Sequence, residues 1–166
     1  MAADLRRRLI NPFGDQFPDD NSTKEIVLQA DGLVRRAPGQ DRRVLLCWTN
    51  GVAESAKYYT QVIHLTGGPG SYAFYTPQVK MQSQESLPQV TVYSLGHYTR
   101  VQRDQIILLA KAIRFDRHSR VDGCRVWTRD LLDAMVNVDM LQRTTFDMLV
   151  AEIPLPARLP ELPTTV

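Results

Sequence analysis

Apolar residues follow a period of two through the first half of the chain and a period of three to four through much of the second. Five short runs rich in β-branched and aromatic residues predict strands. These runs are 25–30, 43–49, 58–65, 71–76 and 89–95. Between them stand the turn-forming pairs Asp31-Gly32, Pro38-Gly39 and Asn50-Gly51, and the Gly67–Gly70 run. Close, sequential strands of this kind favour an antiparallel meander over parallel βαβ units.

The later part of the chain predicts two to three helices. Over 99–113, Ile106, Leu109 and Ile113 share one face, whereas Arg103 falls outside it. A weaker helical pattern covers 140–152. Because the strands come first and the helices after them, the expected fold class is α+β, with an antiparallel sheet of about five strands.

The most regular helical pattern runs from 123 to 137. Asp122 is a good N-cap candidate, and Cys124, Trp127 and Leu131 follow at intervals of three and four residues. The pattern therefore predicts a helix with Cys124 in its first turn.

The regular patterns define one domain over 25–152 between two less regular ends. Residues 1–24 are polar and are expected to form a partly ordered arm. Residues 153–166 hold four of the ten prolines and predict an extended tail. The chain has 166 residues, 43% of them hydrophobic, which is enough for one packed core.

Composition excludes several classes of protein. There is no run of about 18 apolar residues that could cross a membrane, and no apolar stretch of a secretory signal follows the basic residues near the start. Cys47 and Cys124 are far apart, so we expect free thiols in a cytoplasmic, reducing setting. The net charge of +2 does not indicate a nucleic-acid partner. Oligomeric state is left open.

Cys124 is the strongest candidate for chemistry. A helix start favours the thiolate form of a cysteine, and basic residues surround this one in sequence. Such a setting is typical of a cysteine nucleophile. The alternative is a small packed side chain on the stripe that Cys124 shares with Trp127 and Leu131.

A nucleophilic thiol needs a base, and the best histidine is His64. Alternation places Val62 and His64 on one face of a strand, with Ile63 and Leu65 on the other, so His64 either faces a cleft or is a core residue. His118 is a second choice. Cys47, His64 and Cys124 lack metal-ligand spacing, and neither a metal nor a cofactor is expected.

Three motifs occur in a distinctive order: LLCWT at 45–49, VIHL at 62–65, and Gly123-Cys124-Arg125-x-Trp127. This order resembles the lecithin–retinol acyltransferase branch of the NlpC-type, circularly permuted papain-like fold. The last motif is also similar to that of a fungal family of small proteins. The acyltransferase resemblance implies a permuted papain-like core with Cys124 as nucleophile. His64 matches the family's second histidine, Trp48 matches a tryptophan, and Cys47 stands where the family has its base histidine.

The leading hypothesis is a small cysteine-dependent acyltransferase or hydrolase acting on a thioester, ester or amide of a small molecule or carrier. Cys124 would be the nucleophile and His64 the base. The predicted substrate-binding residues are Trp48, Tyr59, Arg125 and Trp127. One alternative is a binding protein or non-covalent catalyst for a small apolar or anionic molecule, with Cys124 only packed. The other is a protein-interaction domain. Stable membrane insertion is not expected.

Overall fold

The computed structural model describes residues 12–31, 43–83 and 90–161, and within them the fold is α+β. The strands are β1 (Lys24–Asp31), β2 (Val44–Val52), β3 (Lys57–Ile63), β4 (Leu65–Thr66), β5 (Ala73–Phe74), β6 (Val79–Ser83) and β7 (Val90–Tyr98). The helices are α1 (Pro12–Gln16), α2 (Arg100–Ala112), α3 (Cys124–Asn137) and α4 (Arg143–Glu152). The predicted fold class is confirmed.

Five strands form one antiparallel sheet in the order β6-β3-β2-β1-β7. Strands β1, β2 and β3 pair in sequence, as expected for an antiparallel meander. The predicted 71–76 strand does not join this sheet, and β6 takes the next position beside β3. β7 returns to pair with the free side of β1. β4 and β5 form a separate hairpin around the Gly67–Gly70 turn, as that run predicts. β6 and α1 were not among the predicted elements.

The predicted turn at Asn50-Gly51 is wrong. Both residues lie inside β2, where the register with β3 shifts between Thr49 and Gly51. Gly51 is needed there because a Cβ atom would lie 2.6 Å from the ring of Phe17. The chain instead reverses after Val52, where the Ala53 N–H donates to the Lys57 carbonyl.

The two faces of the sheet bury different residues. One face, here called the helix-covered face, packs against α2, α3 and α4 and carries most of the core. Its strand residues include Ile26, Leu28, Ala30, Val44, Leu46, Trp48 and Ile63. The opposite face, here called the distal face, carries the small cluster Val27, Leu45, Cys47 and Val62. This split follows the period-two alternation of the strands.

The sheet curls toward its distal face. The backbones at Gln29 on β1 and Gln82 on β6 are separated by two intervening strands, or about 14 Å in a flat sheet at the usual spacing. They are also offset along the strands, because Gln29 is level with Leu45 on β2, whereas Gln82 is level with Val52. Their side-chain amides nevertheless lie 3.2 Å apart. The curl is consistent with the chain path, because only six residues separate the ends of β6 and β7, which lie at opposite edges of the sheet.

The polar segment before β1 is fixed to the domain by a buried ion pair. Arg103 is fully buried and donates to both carboxylate oxygens of Asp19, each at 2.9 Å. Arg103 was expected off the buried face of its helix, and the structure corrects this. Its guanidinium can be buried because every donor has an acceptor. Residues 1–11 of the predicted arm lie outside the described residues.

The proline-rich tail lies against the domain as far as residue 161, where the described residues end. Ile153 and Leu155 are buried in the main core. Farther along, the Arg158 guanidinium forms an ion pair with Asp130 at 2.7 Å. Residues 155–161 belong to no helix or strand, and side chains of the tail are part of the packing.

Candidate functional site

Cys124 is the first residue of α3. Gly123, and not Asp122 as predicted, is the N-cap, and it supplies no side-chain hydrogen bond to the helix. The Asp122 carboxylate instead accepts a hydrogen bond from the Leu159 backbone N–H at 2.9 Å. The half-buried Cys124 side chain packs against the core of the helix-covered face. Its position at a helix start is confirmed, and so is its packing on the apolar stripe.

His64 is buried on the distal face. Its neighbours Ile63 and Leu65 both belong to the helix-covered core, so the His64 side chain points the other way. Loss of hydration on burial, with further contributions from the charges of Lys80 and Arg43, lowers the pKa of His64 to about 4. Gln78 lies beside it, yet neither ring nitrogen meets a hydrogen-bond partner of normal geometry among the described residues.

The sheet separates the two predicted catalytic residues. Cys124 packs on the helix-covered face, whereas alternation places His64 on the distal face, where Gln78 and Lys80 are its neighbours. The structure therefore does not bring Cys124 and His64 together as a nucleophile and its base. Burial of His64 also keeps its imidazole neutral near pH 7.

Cys47 tests the strand correspondence implied by the acyltransferase resemblance. Its side chain shares a face with His64, as alternation predicts, but that face points away from Cys124. A residue in place of the family's base histidine would have to point toward Cys124, so the correspondence fails. Burial raises the pKa of the Cys47 thiol to about 12, which makes it unreactive near neutral pH.

The predicted substrate-binding residues do not line a common cleft. The rings of Trp48 and Trp127 are buried in the main core. Tyr59 stacks on Phe17 with ring centroids 3.7 Å apart. Arg125 donates to the Pro154 carbonyl of the tail at 3.1 Å. These contacts give all four residues roles in packing.

The distal face instead holds a cleft of about 500 Å³. Side chains from all five strands of the sheet contribute to it, and Trp48 also borders it. Its lining includes Val27, Gln29, Cys47, Thr60, Gln82 and Val92, with Thr49 and Tyr58. The curl of the sheet creates this concavity. Gln29, Cys47 and Thr60 are all buried, so the base of the cleft is enclosed by protein.

A chain of hydrogen bonds crosses the cleft. The Thr60 hydroxyl donates to the Gln82 Oε1 atom at 3.3 Å. The Gln82 amide nitrogen in turn donates to the Gln29 Oε1 atom at 3.2 Å. Alternation along the strands places each of these polar residues on the distal face. For Gln29 and Thr60 that signal was present in the predicted strands, whereas Gln82 lies on β6, which was not predicted. The sequence did not predict the curl of the sheet, which brings these residues from three strands together at one site.

No family model, curated protein or solved structure matches this chain. Within the part of the chain that the structure describes, no helix is both long and apolar enough to cross a bilayer. The same residues contain no group of three or more histidine, cysteine or acidic side chains that could hold a metal ion.

Proposed function

We propose that this protein binds a small, largely apolar molecule in the cleft of the distal face. The proposal is supported by the burial of apolar residues on the distal face, which is the side of the sheet away from the helices. That side of an antiparallel sheet in a two-layer fold is commonly solvated and polar. Here it carries an apolar cluster and a concavity.

The dimensions of the cleft fit a small organic ligand. Sites for such ligands usually enclose about 300–1,000 Å³ and combine apolar walls with a few polar groups. The walls include Val27, Val92 and Cys47, and the polar groups are concentrated in the glutamine and threonine chain. The cleft thus resembles a binding site in composition as well as in volume.

The charges around the cleft favour an uncharged ligand. Lys24 borders it, but its ammonium group is bound to Asp19 at 2.8 Å. Glu25 also borders it, at an exposed position, and accepts a hydrogen bond from Ser94. No cation is thus left to compensate an anionic ligand among the described lining residues.

The acyl-transfer hypothesis has less support than binding. It requires a base within hydrogen-bonding reach of Cys124, and the predicted base lies across the sheet. Binding in the distal cleft needs neither Cys124 nor His64. It corresponds to the alternative given above, a binding protein in which the Cys124 side chain contributes only to packing.

Fluorescence titration with N-phenylnaphthylamine, a neutral dye that emits strongly in apolar surroundings, tests the proposal. We expect saturable binding to the whole chain. Thr49→Trp places an indole at an exposed position bordering the cleft and should weaken binding at least about tenfold, a loss of about 1.4 kcal/mol.

Val101→Trp is the matched control, because Val101 is exposed on α2, a helix that packs on the other face of the sheet. This variant should bind the dye as the wild type does. Absence of saturable binding to the folded protein, or equal affinities for Thr49→Trp and wild type, would contradict the proposal.

A further inference from the structure

We infer that the distal cleft selects ligands carrying a neutral hydrogen-bond acceptor, of the carbonyl class, which accepts from the Gln29 amide nitrogen. The inference rests on the proposed binding function and specifies the ligand's polar group. It is carried by the direction of the hydrogen-bond chain through Thr60, Gln82 and Gln29.

In the structure the chain runs from Thr60 through Gln82 to Gln29. Since Gln82 accepts from Thr60 through its oxygen, its nitrogen is directed toward Gln29. Gln29 meets that donor with its own oxygen. The chain therefore ends at the Gln29 amide nitrogen, a donor with two hydrogens.

The Gln29 amide nitrogen donates no hydrogen bond to the described residues, and it is not fully enclosed by protein. Gln29 is only 6% exposed and borders the cleft. A ligand that displaces water from this donor without offering an acceptor would leave the donor unpaired, which costs free energy, and an acceptor oxygen on the ligand would remove that cost. Hydrogen bonds in such a chain polarise one another, which strengthens the last donor.

The acceptor should be neutral. A carboxylate would need a cation in the cleft. The ammonium group of the nearby Lys24 already forms an ion pair with Asp19 and donates a hydrogen bond to Asn50. A ketone, ester or amide carbonyl presents a suitable oxygen without a charge. Attached to an apolar body, it would place that body against Val27 and Val92.

Displacement of N-phenylnaphthylamine by two ligands of nearly equal size tests the inference. Propionylnaphthalene carries a carbonyl group, and propylnaphthalene has a methylene group in its place. With wild-type protein, the ketone should displace the dye at a concentration about five- to tenfold lower than the hydrocarbon does, which is the effect of one hydrogen bond.

Substitutions along the chain should remove this preference without closing the cleft. Gln29→Met keeps the length of the side chain and removes the donor. Thr60→Val keeps the shape of the side chain and removes the group that orients Gln82. Both variants should bind the two ligands equally, whereas Thr60→Ser should retain the preference. Far-UV circular dichroism and urea unfolding check that each variant is folded.

The outcomes separate the inference from the proposed function. If neither ligand nor the dye binds the folded wild type, the proposed function fails. If both ligands displace the dye equally well from wild type, binding stands and the carbonyl preference is refuted. A ketone preference that persists in folded Gln29→Met would also overturn the assignment of that donor.

Discussion

Replacing Arg103 by methionine should strongly destabilise the protein. The guanidinium is fully buried and makes five hydrogen bonds at 2.7–2.9 Å. Two go to the Asp19 carboxylate, and the others go to the backbone carbonyls of Ser22, Tyr98 and Asp20. Methionine fills much of the same volume and makes none of them.

The magnitude follows from the groups left behind. Removing one partner of a buried ion pair usually costs about 3–5 kcal/mol. Lys24 lies 2.8 Å from Asp19 and would still neutralise part of its charge, so we expect about 3 kcal/mol for Arg103→Met. Domains of this size are stable by about 5–15 kcal/mol, so such a loss is a large fraction of the total.

Urea unfolding of three variants measures the effect. Arg103→Lys keeps a charge but not the two-pronged geometry, and it should lose about half as much as Arg103→Met. Arg100→Met is the matched control, because Arg100 is 36% exposed and lies 3.7 Å from the same carboxylate. It should cost less than about 1 kcal/mol. A loss of under about 1 kcal/mol for Arg103→Met, or equal losses at the two positions, would refute the reasoning.

Acid titration gives an independent readout. Desolvation raises the pKa of Asp19, but hydrogen bonds and charges from Arg103 and Lys24 outweigh it and hold the pKa below the usual 3.8. The carboxylate therefore stabilises the fold above pH 3.8, and this contribution is lost as the pH falls below that value. Arg103→Met should lose less stability over that acid range than wild type does.

Three further predictions test other parts of the structure. His64 titrates near pH 4 when folded and near 6.5 when unfolded, so wild type should lose about 3 kcal/mol as the pH falls through that window. His64→Gln should lack that loss, and an unchanged pH profile would contradict a neutral buried imidazole. Leu155→Ala should cost about 2–4 kcal/mol in urea unfolding, against less than about 1 for Arg158→Ala, because only Leu155 is buried. Iodoacetamide should label Cys124 before Cys47 in the native state, as read by peptide mass spectrometry, and equal rates would show that Cys47 is accessible.

Alternation in the sequence was a reliable guide to the faces of the strands. It placed Leu45, Cys47 and Thr49 together and set His64 opposite Ile63, and the structure confirms both. It could not show which face the helices would cover, because both faces of β2 carry apolar residues. Without that information, the sequence could not show whether Cys124 and His64 lie close together or on opposite faces of the sheet.

The remaining errors arise where tertiary contacts override local preference. Arginine at position 103 predicts an exposed helix position, but the carboxylate and carbonyls that satisfy it come mostly from residues more than 80 positions earlier. Asp122 has the composition of an N-cap, yet a backbone N–H from the tail occupies its carboxylate. Asn50-Gly51 is a common turn pair, and here it makes room for Phe17. Apart from the Tyr98 carbonyl, all of these partners are distant in sequence.

The ion pair between Asp19 and Arg103 also constrains how the chain folds during synthesis. The two residues are 84 positions apart, and the ribosome adds about 5–20 residues per second, so Asp19 waits roughly 4–17 s for its partner to be made. β1 likewise waits for β7, which pairs with it along its whole length. Pairings so distant in sequence slow folding. One edge of the first strand can pair early with β2, but the other edge must therefore remain open to chaperones, proteases and other nascent chains until the second half of the chain has emerged.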